Sequence, residues 1–386
     1  MNNMSISKKK IRKTRRRSHP VASFLLALMV VVAVISCGVQ ECGREGNQSA
    51  SGTPMETDLK ITVLDVGQGL SVLAENDGHF LLYDGGGGEK SDYVVAYLAE
   101  RGCSKLDYLI ASHYDGDHIS GLVGCLYQYP VDTVICPDYS TGKDIQTAFE
   151  KALKINKAKT VHPQAGEEFA FGGATLKVLA AEEYSAGDDN NSSLVLQICY
   201  GGFKYLLTGD AEWGTEKMLL EAGVSLASDV YVAGHHGSAS SSGWDFVDAV
   251  SPKAAVISCG AGNDYGHPAE STLRVLEEQD LDLYRTDKQG EIICTTNGVE
   301  FSMNVDPCRD YSAGSSGGLA LFGQGDQSGQ SSADSKHYVV NTKSNKFHLP
   351  DCSAILKMNQ KNRLEVEASR GDLIRNGCEP CGYCKP

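Results

Sequence analysis

From Lys60 onward, short apolar runs alternate with glycine-rich turns. The length of these runs and their content of β-branched residues predict strands. The runs are ITVLDV, SVLAE, HFLLYD, LDYLIAS, TVICP, LKVLA, SLVLQICY, KYLLTGD, DVYVAG and AAVISCG. Helices are predicted at Asp92–Arg101, Asp144–Leu153, Thr215–Ala222, Ser240–Val250 and Ala269–Gln279. Because the helices are interspersed among many strands, the pattern favours a two-sheet α/β layering over an all-β barrel.

The N-terminus has a different pattern, in which eight Lys and Arg residues between Lys8 and Arg17 precede the apolar run Val21 to Ser36. A basic segment followed by an apolar one is typical of export signals. We therefore expect residues 1–36 to be a signal peptide or an uncleaved signal anchor, and the protein to leave the cytoplasm. Val34-Ile35-Ser36-Cys37 resembles a bacterial lipoprotein cleavage box, which would make Cys37 a lipidation site and tether the protein to the membrane.

Composition divides the remaining chain into four parts. The polar residues 37–58 predict a flexible spacer, and residues 59–305 hold the apolar runs of the main domain. Residues 306–336 are rich in Ser and Gly, which predicts a flexible linker because such a segment buries too little apolar surface to offset chain entropy. Residues 337–386 form a C-terminal module too small for a large core of its own.

The net charge of −14 is unevenly distributed, since the first 36 residues hold 8 basic side chains and no acidic ones, leaving −22 on the rest. An acidic body repels polyanions at long range, although bound divalent ions reverse the field locally. This charge argues against tight, sequence-specific DNA binding. Of the 13 cysteines, seven are scattered from Cys103 to Cys308, and we expect several of these to be buried as small apolar residues.

The most informative motif is His-Tyr-Asp-Gly-Asp-His at residues 113–118, directly after the apolar run LDYLIAS. A buried strand that ends in histidines and carboxylates brings metal ligands to one point, where a single loop can start two metal sites. Downstream, Asp210 ends KYLLTGD, and His235 and His236 follow DVYVAG between two glycines. Three strand ends that supply Asp or His favour metal-dependent hydrolysis over a chance polar loop.

These residues, in this order, resemble the metallo-β-lactamase superfamily, and specifically the exported hydrolase-like domain of ComEC-type competence proteins. The resemblance extends from about Lys60 to Asn304. Its motifs are LDVGQG from Leu64, the loop from His113, NNSSLVL from Asn190, LLTGD ending at Asp210, GHHGS from Gly234 and YGHP from Tyr265. It implies a four-layer αββα fold for residues 59–305, with a dinuclear metal site.

The resemblance also implies roles for individual residues. His113 and Asp115 would bind one metal, and Asp117 and His118 the other. Asp210 would bridge the two. His235 would complete the second site, with His236 as the substitute ligand.

Two residues are the candidates for catalysis, Asp117 and His267; the latter would bind a phosphate oxygen or protonate the leaving group. Its alternative role is that of a turn histidine satisfied by backbone groups. Further residues are expected to support the ligands or contact substrate: Asp65, Gln68, Asp84, Asn190, Asn191, His236 and Ser238.

The sequence departs from the general superfamily pattern at two points. The superfamily loop carries His where Asp115 stands, and a third histidine ligand usually falls near Asn190 and Asn191. More oxygen and less imidazole shifts metal preference from zinc toward manganese or magnesium. We therefore expect two divalent ions, with Mn²⁺ or Mg²⁺ favoured over Zn²⁺.

The C-terminal module carries its own candidate metal site. His348-x₃-Cys352 and Cys381-x₂-Cys384 have the spacing of two chelating arms for a tetrahedral zinc ion. The arrangement resembles the small zinc module of Ada-type DNA repair proteins, and it predicts one structural zinc. Disulfides among these three cysteines and Cys378 are the alternative in an exported protein.

Together these features predict an exported phosphodiesterase that uses a metal-activated water, and the resemblance to ComEC-type proteins implies DNA as the leading substrate. The module has a charge of +3, which would help to bring DNA to the acidic domain. Scavenging of DNA, or assistance to a separate DNA-uptake channel, are the roles that follow. A phosphorylcholine esterase-like or other small phosphodiester hydrolase and a non-enzymatic binding protein are the alternatives.

Overall fold

The computed structural model describes residues 54–181 and 187–314 and, in the C-terminal module, 336–341, 344, 346–350, 352–358, 363–368, 370, 373 and 378–386. The predicted export signal, the lipidation site Cys37, most of the spacer and most of the linker lie outside these residues. Within the described part of the chain, no helix has the length and apolar character needed to cross a membrane.

Two β-sheets form the centre of the main domain. In the first, the strand order is β15-β14-β1-β2-β3-β4-β5-β6, and in the second it is β13-β12-β11-β10-β9-β8-β7. The first sheet contains β1 (Leu59–Val63), β2 (Val72–Asn76), β3 (His79–Tyr83), β4 (Leu106–Ile110), β5 (Val131–Ile135), β6 (Lys159–Val161), β14 (Ile292–Thr296) and β15 (Phe301–Met303). The second contains β7 (Glu168–Phe171), β8 (Ala174–Ala180), β9 (Val195–Tyr200), β10 (Phe203–Leu207), β11 (Val230–Val232), β12 (Ala254–Ile257) and β13 (Asp282–Arg285).

Seven helices accompany these sheets among the described residues: α1 (Ser91–Glu100), α2 (Gly116–Gln128), α3 (Asp144–Asn156), α4 (Trp213–Ala222), α5 (Trp244–Val250), α6 (Glu270–Glu278) and α7 (Thr286–Gln289). The five predicted helices correspond to α1, α3, α4, α5 and α6. The sequence analysis missed α2, which begins inside the histidine motif.

Alternating side chains along the strands build three apolar layers. Ile61 and Leu196 belong to the core between the two sheets. On the outer face of the first sheet, Leu109 packs with Leu122 of α2 and neighbouring helices. On the outer face of the second, Tyr231 belongs to the cluster formed with α4, α5 and α6. The layering is therefore αββα, as the resemblance implied.

The strands that carry the motifs run parallel. Strand β4 pairs in parallel with β3 and β5, and β11 pairs in parallel with β10 and β12. Parallel strands end at the same edge of a sheet, where open α/β proteins place their ligands. The loops after β3, β4, β10, β11 and β12 therefore contribute their side chains to one edge of the sandwich.

Helix α2 lies unusually close to this edge. A Cβ atom on Gly121 would come within 1.8 Å of the Gly85 carbonyl oxygen, and a Cβ on Gly85 within 2.4 Å of the Leu122 nitrogen. Only a pair of glycines permits this approach of backbone to backbone. It brings Asp84, at the end of β3, against His118 in the first turn of α2.

The C-terminal module forms a separate sheet with the order β18-β16-β17-β19. Its strands are β16 (Lys336–Asn341), β17 (Lys346–His348), β18 (Arg363–Ala368) and β19 (Glu379–Pro380). Tyr338, Phe347 and Val366 from this sheet form a buried cluster with Trp213 of α4. The module therefore packs against the main domain through the start of that helix.

The cysteines of the main domain behave as the sequence predicts. All are free thiols, and Cys199 is the half-buried one. The others are buried: Cys103, Cys125, Cys136, Cys259, Cys294 and Cys308.

Candidate metal centre

Four histidines surround the buried carboxylate of Asp210. Its Oδ1 atom lies 3.1 Å from Nε2 of His118 and 3.5 Å from Nε2 of His236. Its Oδ2 atom lies 3.9 Å from Nε2 of His113 and 3.9 Å from Nε2 of His235. Each carboxylate oxygen therefore faces its own pair of imidazoles, which is the arrangement expected of a bridging ligand.

The other ring nitrogen of each histidine is held by a protein group. Nδ1 of His118 donates to Asp84 Oδ2 at 2.9 Å, and Nδ1 of His113 donates to Ser112 Oγ at 2.9 Å. The serine hydroxyl in turn donates to Asp84 at 2.7 Å, so one buried carboxylate supports both rings. Because Nδ1 is engaged in this way, Nε2 is the ring nitrogen that is directed toward a metal.

His236 and His235 are anchored in the same way by different partners. Nδ1 of His236 donates to the Ser258 carbonyl oxygen at 3.0 Å, and Nδ1 of His235 donates to Glu212 Oε1 at 2.9 Å. Both residues have left-handed backbones, with φ of 48° for His235 and 56° for His236. Such a conformation costs about 1–2 kcal/mol per non-glycine residue, and it directs two consecutive imidazoles to the same site.

The residues fit divalent metal ions. Nε2 of His113 and Oδ1 of Asp210 are buried without a hydrogen-bond partner of good geometry, an arrangement that is costly unless an ion satisfies them. The ligand atoms of His113, His118 and Asp210 lie within 4.8 Å of one another, as do those of Asp117, His118 and His236. Two overlapping groups of this kind can hold two ions.

The geometry favours His236 over His235 in the second group. Nε2 of His236 lies 3.3 Å from Asp117 Oδ2 and 3.3 Å from His118 Nε2. His235 instead faces the Asp210 oxygen that also faces His113. His236, which the sequence offered as the substitute ligand, therefore occupies the position predicted for His235. His235 lies beside the group that contains His113.

Asp115 borders the first group and has a cation as its neighbour. One of its oxygens lies 4.0 Å from Nε2 of His113, and the other lies 2.5 Å from Nζ of Lys143. Lys143 also pairs with Asp189 at 2.7 Å. Although burial opposes its charge, these two carboxylates raise the pKa of Lys143, so a positive charge persists beside the site.

The charges at the centre are strongly coupled. Burial alone would raise the pKa of Asp210, but His118, His236 and His235 hold it well below its usual range. Burial would likewise lower the pKa of His118, yet Asp210, Asp117 and Asp84 hold it well above its usual value. Without an ion, the protein therefore keeps a proton among these groups that a metal would displace.

His267 lies at the rim with a fixed orientation. Gln68 Oε1 accepts from the Gly260 nitrogen at 3.2 Å, which turns its amide nitrogen toward His267 Nδ1 at 3.3 Å. Burial, followed by the nearby charges of His235 and His236, lowers the pKa of His267 to about 3. The ring is therefore neutral, and because Nδ1 accepts from Gln68, its Nε2–H is left as a hydrogen-bond donor.

The remaining candidates lie farther from the ligand atoms. Asn191 Oδ1 accepts from the Thr215 nitrogen at 3.0 Å and from the Glu212 nitrogen at 3.3 Å, so this residue caps α4. Asp65 accepts from the Gly67 nitrogen at 3.2 Å within its own turn. These contacts explain both residues by local structure.

Two other candidates contact the centre indirectly, through Glu212. Asn190 Nδ2 donates to Glu212 Oε1 at 3.3 Å. Ser238 Oγ lies 2.9 Å from Ser240 Oγ, whose hydroxyl donates to the same glutamate oxygen at 2.8 Å. Neither Glu212 nor Lys143 was identified from the sequence. The available signal for Glu212 was an acidic residue two positions after Asp210 and three positions before the helix predicted from Thr215.

The C-terminal residues also come together. Ligand atoms of His348, Cys352, Cys381 and Cys384 lie within 4.8 Å of one another, and the three cysteines are free thiols. Nδ1 of His348 is buried without a hydrogen-bond partner. Burial raises the pKa of Cys381, but the backbone amides of Cys384 and Tyr383 lower it below its usual value, which favours the thiolate that zinc binds. Cys378 stays outside the group, as the spacing predicted.

Comparisons with known proteins identify the family of the main domain. Residues 64–261 match the family described as the metallo-beta-lactamase superfamily. The chain is 31% identical over 263 residues to ComE operon protein 3 of Bacillus subtilis (strain 168), covering 62% of this chain and 33% of that protein. It is 34% identical over 239 residues to Competence protein ComA of Neisseria gonorrhoeae, covering 61% and 32%.

The resemblance to competence proteins noted from the motifs is thus confirmed, and the chain spans about a third of the length of these relatives. Among solved structures, the metallo-beta-lactamase fold protein YhfI from Bacillus subtilis aligns with a TM-score of 0.45 and 15% identity, covering 62% of this chain and 100% of that one.

Proposed function

Because this chain belongs to the metallo-β-lactamase superfamily and carries a set of converging metal ligands, we propose that it is a metal-dependent phosphodiesterase that cleaves DNA. The observation that supports this most directly is the donor set around Asp210. Asp117 and Asp210 lie within it, and Asp115 borders it. Carboxylate oxygens favour Mn²⁺ or Mg²⁺, the ions suited to phosphoryl oxygens.

In this proposal, His113, Asp115, His235 and Asp210 would hold one ion, and Asp117, His118, His236 and Asp210 would hold the other. Two bound divalent ions would lower the pKa of a water molecule and neutralise charge on phosphoryl oxygens. We assign His267 the role of donating a hydrogen bond from Nε2 to a phosphate oxygen, because its low pKa leaves the ring without the second proton that a leaving group would need. Lys143 attracts the anionic backbone at a site whose surroundings are otherwise acidic.

The similarity to competence proteins supports DNA as the substrate. The basic and apolar N-terminal segments support export, with tethering through a signal anchor or a lipid on Cys37. The protein would then scavenge extracellular DNA or supply a separate uptake channel. The C-terminal residues His348, Cys352, Cys381 and Cys384 would hold one structural zinc.

The test is a cleavage assay with purified protein and Mn²⁺, Mg²⁺ or Zn²⁺ on labelled single- and double-stranded DNA, RNA and a small chromogenic phosphodiester. We expect DNA cleavage with Mn²⁺ or Mg²⁺ that is lost in Asp117→Ala. Cleavage of the small phosphodiester alone would support a surface esterase instead. An inert metal-loaded protein would indicate a binding function, and a zinc-only optimum would contradict the metal assignment.

A further inference from the structure

The start of helix α4 lies between the residues around Asp210 and the C-terminal module. Glu212, the residue before its first turn, is buried, and its Oε1 atom accepts three hydrogen bonds. The donors are Nδ1 of His235 at 2.9 Å, Oγ of Ser240 at 2.8 Å and Nδ2 of Asn190 at 3.3 Å. The conformation of this one side chain therefore sets the orientation of an imidazole that faces Asp210.

The side chain of the next residue, Trp213, packs against the C-terminal module. Its side chain is 5% exposed and lies in the cluster formed by Tyr338, Val340, Phe347 and other residues of the module. Its backbone nitrogen donates to the Ser240 carbonyl oxygen at 2.9 Å. Glu212 and Trp213 are consecutive, so an ordered Trp213 constrains the backbone that carries Glu212.

The surface that covers Trp213 adjoins the Cys and His cluster. Phe347 directly precedes His348, and the Cys381 nitrogen donates to the Phe347 carbonyl oxygen at 2.9 Å. In small modules a bound ion supplies much of the folding free energy, and removal of the ion unfolds them. We therefore expect the packing around Trp213 to depend on whether a metal ion is bound to the C-terminal Cys and His cluster.

We propose that the C-terminal cluster positions the catalytic centre: metal bound there orders the sheet that covers Trp213, which fixes Glu212 against His235. The inference rests on the proposed zinc site and on the proposed dinuclear centre. Glu212 acts in it as a positioning residue, through His235, and the module acts on the affinity of the centre for its ions.

The first test measures metal content and Mn²⁺ affinity of the full-length chain, the latter by competition with a chromogenic chelator. Cys381→Ser is expected to lose one zinc per chain and to weaken Mn²⁺ binding by about 10- to 100-fold, the usual effect of removing support from a metal ligand. Cys199→Ser changes a half-buried thiol outside both groups and is the matched control, with no change expected.

A second pair of variants tests the connection through Trp213 and Glu212 without changing the metal-binding residues of the C-terminal cluster. Trp213→Ala is expected to retain zinc and still weaken Mn²⁺ binding, and Glu212→Ala is expected to do the same, with partial rescue in Glu212→Gln. Because the changes act along one path, Glu212→Ala with Cys381→Ser should bind Mn²⁺ no more weakly than the worse single variant.

Unchanged Mn²⁺ affinity in Cys381→Ser and Trp213→Ala would overturn the inference, and so would fully additive losses in the double variant. The affinity measurement does not depend on the substrate. A wild-type chain that binds Mn²⁺ but leaves DNA intact would therefore reject the proposed nuclease without deciding the role of the module.

Discussion

Around Asp210, each of the four surrounding imidazoles has its Nδ1 atom held by a protein group, whereas in the C-terminal cluster the buried Nδ1 of His348 has no hydrogen-bond partner. The first group is therefore oriented by the fold before any ion binds. In the second, backbone amides support Cys381 and Cys384 but His348 has no such partner, so we expect its ligands to depend more on a bound ion. The two candidate metal sites therefore differ in what holds their ligands in place as well as in the ligands themselves.

The largest effect should follow from removing the shared ligand. In Asp210→Asn, we expect DNA hydrolysis to fall to the level of the metal-containing buffer, because both groups lose the same carboxylate. Metal analysis should still find one zinc per chain in the C-terminal cluster. Asp132→Asn, at an exposed carboxylate paired with Lys105, is the control and should leave both values unchanged.

A smaller effect is expected from replacing Asp84, the carboxylate that supports the histidine ligands through hydrogen bonds. Asp84→Asn should weaken metal affinity or activity by about 10- to 100-fold, since this carboxylate supports His118 directly and His113 through Ser112. Isothermal titration with Mn²⁺ measures the change. Asp65→Asn removes a carboxylate that serves only its own turn; if it weakened binding equally, the distinction drawn between these two residues would fail.

Substrate attraction should depend only modestly on Lys143. Its side chain is 44% exposed, and pairs of this kind contribute up to roughly 1 kcal/mol, so Lys143→Met should raise KM for DNA by no more than about fivefold. The increase should shrink at high salt. Lys105→Met, at a similarly exposed lysine, provides the comparison, and an equal rise in KM there would argue against a local role for Lys143.

The smallest effect is expected from exchanging one ligand type for another in the C-terminal Cys and His cluster. His348→Cys replaces one zinc ligand with another, and we expect zinc to be retained with a loss of less than about 1 kcal/mol, or roughly 2–4 °C in Tm. His348→Ala should lose the zinc. If His348→Ala retained zinc, the fold itself would hold the remaining ligands of the module in place, as it does around Asp210.

The parts that could be predicted from the sequence are those in which local pattern and tertiary role agree. Strands such as β4 and β9 are mainly apolar because most of their residues are buried or half-buried on both faces. No apolar run was identified for β6 and β7, where most residues are exposed or half-buried and the apolar pattern is weak. None was identified for β13, β14 and β15 either, although most residues of β13 and β14 are buried. Helix α2 was also missed, because its first turn supplies ligands and resembles a polar loop.

The site itself was predictable in composition and less so in geometry. The motifs identified His113, His118 and Asp210, since strand ends and ligand types are visible in the sequence. The choice between His235 and His236 was not, because adjacent residues in an extended chain point in opposite directions and only the backbone decides. Asn191 shows the converse, as its position in the motif conceals a role in capping a helix.

The left-handed conformation of His235 and His236 has a consequence for how this centre tolerates change. We expect a single insertion or deletion in the loop after β11 to disturb this conformation and to turn one imidazole away, so that a whole ligand is lost and not merely displaced. Substitutions at neighbouring positions would change the centre more gradually. The length of this loop is therefore a constraint on the centre as strict as the identity of its ligands.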